Sequence, residues 1–457
     1  MNKTILRCLL LSIFILLACT LSKLPAASAV SFNLVKQLDP FSGDNRYGDV
    51  WGEGNYAYIG SFAGSGVGII DISTPGSAFL AATYNVGSGG SQFKDIKVNN
   101  GIGYFASDNG GGMHIVNLSD PTTPSLLSQI TSSQGGYNSI HNVFIDGGFL
   151  YEADSRTPTV KVFDVSNPGS PAFVRDIVTT DPSFIHDITV VNNRMYTSGF
   201  GGKTDIYDIS NIGTTAPALL GSVNSGSNSH SNWVTSDGNL LISAREISNG
   251  DIRLFDISNP LSPNLLSTIN STTLGINAFS PHNPVLFNDD LLFVSWYQAG
   301  VQAIDISDPL NPFLLGSFDT FPGAVSGFDG NWGVYPLLGL DRVLLSDLDG
   351  GLFIVDASAI VPEPSTIALI GTGLAGLGGA AVRRRLRPEG RQQTIDEVAW
   401  TNSFVRVDVS ACPPLYLFGR ARLGQFGQVL TPKRLKVGGG LSVSVTCPTT
   451  PFPSEQN

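Results

Sequence analysis

Four of the five histidines in this 457-residue chain stand in similar short phrases: His141 in His-Asn-Val, His186 in His-Asp-Ile, His230 in His-Ser-Asn and His282 in His-Asn-Pro. Each opens a short run that reads as a β-strand. Carboxylates recur in the loops further along the same units, at Asp108, Asp154, Glu246 and Asp347, with Arg245, Trp296 and Tyr297 among them. Imidazole nitrogens and carboxylate oxygens converging on one place would hold a divalent transition metal or a polar ligand. A repeated histidine at the start of a strand has a plainer use, bonding a neighbouring turn as a packing device. His114 falls outside the pattern.

Other chemistry finds little support. The four cysteines are Cys8, Cys19, Cys412 and Cys447, so residues 20–411 hold no thiol nucleophile, thiolate metal site or disulfide. No serine sits in a Gly-x-Ser-x-Gly elbow leading into a helix. Gly110-Gly111-Gly112 precedes no helix start and is no phosphate loop. Asp347-Leu348-Asp349-Gly350-Gly351 lacks the EF-hand pattern and reads as a turn, with a calcium-ligand role as the alternative. Trp51, Trp233 and Trp296 have the chemistry to stack on sugars, although core packing is their ordinary use. Nothing here compels an enzyme.

The elements that would position these groups come from a repeat. An apolar strand ending in Asp-hydrophobic-Ser and a turn recurs seven times, beginning at Asp71, Asn117, Asp164, Asp208, Asp256, Asp305 and Asp356. The spacing runs from 44 to 51 residues, with β pattern and no helical period, as in propeller blades. The third copy divides into strands at 142–145, 149–153, 160–165 and 172–178, with a hairpin turn at Asp146-Gly147-Gly148. The Asp and Ser of each phrase suit backbone N–H capping before Pro presets the turn. The last copy runs out after three strands, while Phe32–Leu38 precedes the first as an orphan fourth. The expected fold is therefore all-β, a seven-bladed β-propeller over 30–358 with its N-terminal strand closing the last blade. The first strands then line a central channel, and successive histidines share one rim. Asp49, Asp95 and the Asn331-Trp332 region are expected at that place in blades one, two and seven.

Charge is uneven. Residues 30–361 carry 12 Lys and Arg against 31 Asp and Glu, whereas 362–457 carry 11 against 6. So acidic a body argues against nucleic acid and against anionic membrane surfaces as partners.

Both ends read as addresses. Residues 1–29 have a positive start at Lys3 and Arg7, an apolar stretch from Leu9 to Ala18, and a small-residue cleavage site at Ala27-Ser28-Ala29, which is a signal peptide. Leu16-Leu17-Ala18-Cys19 leaves lipoprotein processing open, and a retained anchor is the remaining alternative. Near the other end, Pro362-Glu363-Pro364 is followed by the apolar run 366–382 and by Arg383, Arg384 and Arg385. Seventeen residues are at the short limit for a transmembrane helix, and the arginines would hold its end in the cytoplasm. Residues 388–457 show no repeat and form an atypical tail, either an extension or a small cytoplasmic segment.

This triplet of motif, span and basic cluster resembles the PEP-CTERM sorting signal. The resemblance implies recognition at Pro362, Glu363 and Pro364 by an exosortase-type processing enzyme, transient anchoring in the membrane through 366–382, and export to the cell surface or beyond. The tail departs from that pattern, since the signal normally ends a chain. Copies such as Thr159-Val160-Lys161-Val162-Phe163-Asp164-Val165-Ser166-Asn167-Pro168 resemble LVIVD repeats. Tyr47-Gly48-Asp49-Val50-Trp51-Gly52 and Asn331-Trp332-Gly333-Val334-Tyr335-Pro336 are similar to choice-of-anchor B proteins, a likeness covering about residues 32–358. It implies a surface propeller and supplies no catalytic residues. The function expected is a non-catalytic binding or structural protein of the envelope or matrix, with exopolysaccharide or surface proteins as partners. The alternative is a metal-dependent hydrolase or lyase using the His/Asp rim.

Overall fold

The computed structural model describes residues 29–42, 46–85, 92–323 and 327–360. Residues 1–28 of the expected 1–29 signal peptide, the expected 366–382 span, the sorting motif with its arginines, and the tail lie outside the described residues. Among the described residues no helix is long and apolar enough to cross a membrane.

Seven separate sheets form. In blade three the strands Asn142–Asp146, Phe149–Ala153, Thr159–Asp164 and Ala172–Val178 pair antiparallel in sequence order. Gly147 and Gly148 link the first two with φ of 56° and 82°, the left-handed pair that a two-residue hairpin of matching twist requires. The recurring Asp-x-Ser phrase caps its own turn. Asp164 Oδ1 accepts the Ser166 N–H at 2.9 Å, and Asp71, Asp208, Asp256, Asp305 and Asp356 do the same for the serine two residues on. Asn117 replaces aspartate in blade two and accepts from Ser119 at 3.0 Å. These turns also dock blades: Ser128 Oγ donates to Pro168 O of the next blade at 2.6 Å, and Ser267 Oγ to Pro309 O at 2.7 Å.

The core lies between blades. Tyr151, Val160 and Val162 of blade three pack on Ile185, Ile188 and Met195 of blade four, and similar apolar layers recur around the ring. Sheets covered on both faces explain why the strands read as nearly continuous apolar runs.

The ring closes as the strand count requires. Strand β2 (Asn33–Leu38) pairs antiparallel with Gly351–Asp356 as the outer strand of blade seven. The Tyr47 N–H of blade one donates to Leu348 O of blade seven at 2.9 Å. One feature departs from the expectation: Phe32 is not part of that strand. It is buried, 6.3 Å from Phe293 between ring centres, and its N–H donates to Ser317 O. Just before it β1 (Val30–Ser31) pairs in parallel with Gly316 and Ser317, adding a fifth strand to blade six. The N-terminus thus clasps two blades. Gly316 permits this, because a Cβ there would meet the Phe32 ring at 2.4 Å.

Candidate functional site

The inner strand of most blades begins with a one-residue bulge, which turns an extra side chain out of the ladder. The extra residue is Lys94 in blade two, His186 in blade four, His230 in blade five and Trp332 in blade seven. In blade one the same shift spans Gly48 and Asp49. His141 and His282 occupy the matching position just ahead of their strands, their N–H groups donating to Ala153 O and Ser295 O. This corrects the expected alignment. Lys94 is the equivalent of the histidines in blade two, and Asp49 and Asp95 fall one residue later, level with Asp187, whereas in blade seven Trp332 stands where the Asn331-Trp332 region was expected.

These side chains form a closed circuit around the channel mouth. Ring centres lie 4.2 Å apart for His141–His186, 3.7 Å for His186–His230, 4.3 Å for His230–His282 and 4.2 Å for His282–Trp332. Trp332 meets Phe62 edge-on at 5.0 Å, and Lys94 Nζ lies 5.2 Å from the Phe62 ring centre. Lys94 then reaches Asp108 Oδ2 at 2.6 Å, and His141 Nδ1 donates to that same oxygen at 3.2 Å.

Four stretches of this chain, 46–86, 91–131, 139–179 and 289–320, match the LVIVD repeat. The chain carries LVIVD repeats. Residues 361–385 match the PEP-CTERM protein-sorting motif. No curated protein matches the chain in sequence. Among solved structures it is similar to the crystal structure of the computationally designed Ika8 protein, at 13% identity and a TM-score of 0.50, covering 70% of this chain and 98% of that one. At that identity the likeness concerns the fold alone.

The blades bring some of the expected carboxylates to the circuit and leave others out. Glu246 Oε2 lies 3.5 Å from His230 Nε2, and its Oε1 accepts from the Tyr297 hydroxyl. Asp154 instead pairs with Arg156 at 2.7 Å, and Asp347 accepts the N–H groups of Asp349 and Gly350 as the cap of its own turn. Arg245 is held by Asp251 at 3.0 Å. Trp296 is buried in the core, and Trp51 and Trp233 pack against core clusters as well. His114 is buried against Tyr84, whose hydroxyl lies 2.9 Å from Nδ1.

Burial and charge set the protonation of the mouth. His186 and His230 are pushed well below the usual imidazole range, by burial first and by neighbouring imidazoles second. Burial likewise lowers His282 to about 3. These three rings are neutral near pH 7, so each has a lone pair free for a ligand or hydrogen bond. Burial would raise the Asp108 carboxyl, but His141 and Lys94 outweigh it and hold the group below its ordinary value. Glu246 is raised by burial, against the opposing Tyr297 bond.

Sequence reasoning missed a second layer on the channel wall. Lys97 Nζ lies 3.2 Å from Asp49 Oδ2 and also bonds Asp95. Burial raises Asp49 to about 7 and Asp187 to about 8, with Lys97 opposing in both cases. All of these groups line one cavity with about 740 Å³ of atom-free space, part of it open to solvent. A signal for the layer was present: Phe93-Lys94-Asp95-Ile96 and Ile185-His186-Asp187-Ile188 are the same phrase with lysine in the place of histidine.

Proposed function

We propose that this LVIVD propeller is exported, sorted to the cell surface through residues 361–385, and acts there as a non-catalytic binding protein of the envelope or matrix. The observation that carries this reading is the closed circuit of four imidazoles, Trp332, Phe62, Lys94 and Asp108 at one mouth of the ring. Aromatic faces, a cation and fixed hydrogen-bonding groups together suit a polar ligand such as a sugar chain of the exopolysaccharide. The PEP-CTERM motif supports processing by an exosortase-type enzyme after transient anchoring in the membrane.

The test has two arms. In a host with an exosortase, the chain is expected in the surface or medium fraction in a shortened form, and Pro362→Ala with Glu363→Ala is expected to leave a longer form in the membrane. Identical size and location for parent and variant would overturn the sorting reading. Exopolysaccharide from that host should be retained by the parent and released by Trp332→Ala; equal retention would overturn the binding reading.

A second reading, a metal-dependent hydrolase or lyase, draws on the approach of Glu246 to His230. The same incubation reads it out, since new reducing or unsaturated chain ends would appear when a divalent metal is added.

A further inference from the structure

We propose that His186, His230 and Glu246 form a site for one divalent transition-metal ion of the zinc class at the channel mouth. The proposal rests on reading that mouth as a ligand site and names the chemistry it uses.

The donor atoms are already gathered. One ligand atom from each of the three residues lies within 4.8 Å of the other two. Ligands about 2.0–2.1 Å from a tetrahedral zinc stand roughly 3.3 Å from one another. The 3.5 Å between His230 Nε2 and Glu246 Oε2 is close to that spacing. Small side-chain rotations of His186 would complete the set.

Independent features around the cluster point the same way. Tyr297 sits at φ 41°, a left-handed conformation unusual for a bulky residue, and from there its hydroxyl bonds the far oxygen of Glu246. That contact aims the near oxygen at His230, as outer partners of metal-bound carboxylates do. The next ring in the stack, His282, is 1% exposed. Its Nδ1 donates to Trp332 O at 2.7 Å, which fixes the tautomer and leaves the lone pair on Nε2. That Nε2 has no hydrogen-bond partner among the described residues.

The donor set selects the ion. Two imidazoles and one carboxylate suit zinc and its neighbours, whereas calcium and magnesium prefer oxygen shells. Three protein ligands leave a coordination position open. An ion at the mouth would offer that position to a hydroxyl or carboxylate oxygen of the bound ligand.

The test uses the full chain, stripped with a chelator and then titrated with zinc by calorimetry and with cobalt by absorption spectroscopy. One ion per chain and tetrahedral cobalt bands are expected. His186→Ala and Glu246→Gln should each weaken zinc about tenfold or more, while Asp256→Ala, in a blade turn whose carboxylate caps Ser258, stays within about threefold of the parent. Glu246→Gln keeps the side-chain shape, so it remains decisive if His186→Ala fails to fold. Absence of stoichiometric zinc, or parental affinity in Glu246→Gln, would overturn the proposal. Exopolysaccharide retention is measured on the same samples. Retention by the stripped chain without zinc binding would sink the metal site alone. Zinc bound with no retention would leave the metal site standing and sink the sugar reading.

Discussion

Gly48 of blade one packs directly on the backbone of Lys94 in blade two. A Cβ at Gly48 would stand 2.6 Å from Phe93 O and 2.9 Å from Lys94 O, both carbonyls of the neighbouring bulge. The glycine therefore sets how closely the first two inner strands approach, and so where the Lys94 ammonium stands between Phe62 and Asp108. Gly48→Ala is expected to force the strands apart at a cost of about 1–3 kcal/mol, read by urea denaturation. A midpoint equal to that of the parent would show that the contact relaxes freely.

The N-terminal clasp is the next test. Phe32 is buried between β1 on blade six and β2 on blade seven, close to Phe293. Truncating it removes the anchor joining two edges of the ring. Phe32→Ala is expected to cost about 3–5 kcal/mol, with amide exchange rising first in Asn33–Leu38 and its partner Gly351–Asp356. Exchange spread evenly over all seven blades, or an unchanged melting temperature, would refute a local clasp.

How much of this was readable in the residues depends on the distance over which each feature is written. The blades were legible because each repeats a local phrase whose turn chemistry, Asp164 to Ser166 for example, is complete within three residues. The β2 closure followed from strand counting. The parallel pairing of β1 was not legible, because two residues carry no period. The histidine rim was readable at His141, His186, His230 and His282, where one residue type recurs. It was readable also at the Asn331-Trp332 region of blade seven and misread in blade two, where Lys94 rather than Asp95 stands at the rim, because a bulge shifts register by one residue and the side chain there changes type. Glu246 meets Tyr297 from another blade through a strained backbone, and no local pattern encodes that contact.

The repeated aspartates offer a contrast with the mouth. Asp164 and Asp256 each accept hydrogen bonds from the N–H and hydroxyl of the serine two residues on, and the Ser166 bonds hold the Asp164 carboxyl below its ordinary value. Their role is turn formation. Asp164→Ala and Asp256→Ala should each lower the melting temperature slightly while leaving zinc affinity and polysaccharide retention at parental values. Loss of either binding activity in these variants would place the repeat phrase in the ligand site and refute the division of labour between turn and mouth.

The last prediction concerns Glu152, on the second strand of blade three and wholly buried. Its Oε2 accepts the Tyr137 N–H at 3.4 Å, and its Oε1 has no hydrogen-bond partner among the described residues. Burial raises the carboxyl to about 8, with the Tyr137 N–H and Lys161 opposing. In the unfolded chain the same group releases its proton near 4.5. Between these values folding takes up a proton, so this group's contribution to stability is greatest below about pH 4.5 and declines as pH rises toward 8. Glutamine has nearly the same shape and no proton to take up. Glu152→Gln should therefore match the parent near pH 4.5 and exceed it by about 1 kcal/mol or more at pH 8, measured by denaturant titration across that range. Other buried carboxylates, Asp49 and Asp187 among them, add the same slope to both proteins and cancel in the difference. Parallel stability profiles for parent and variant would mean that Glu152 is ionised in the folded protein and has found a partner for its second oxygen.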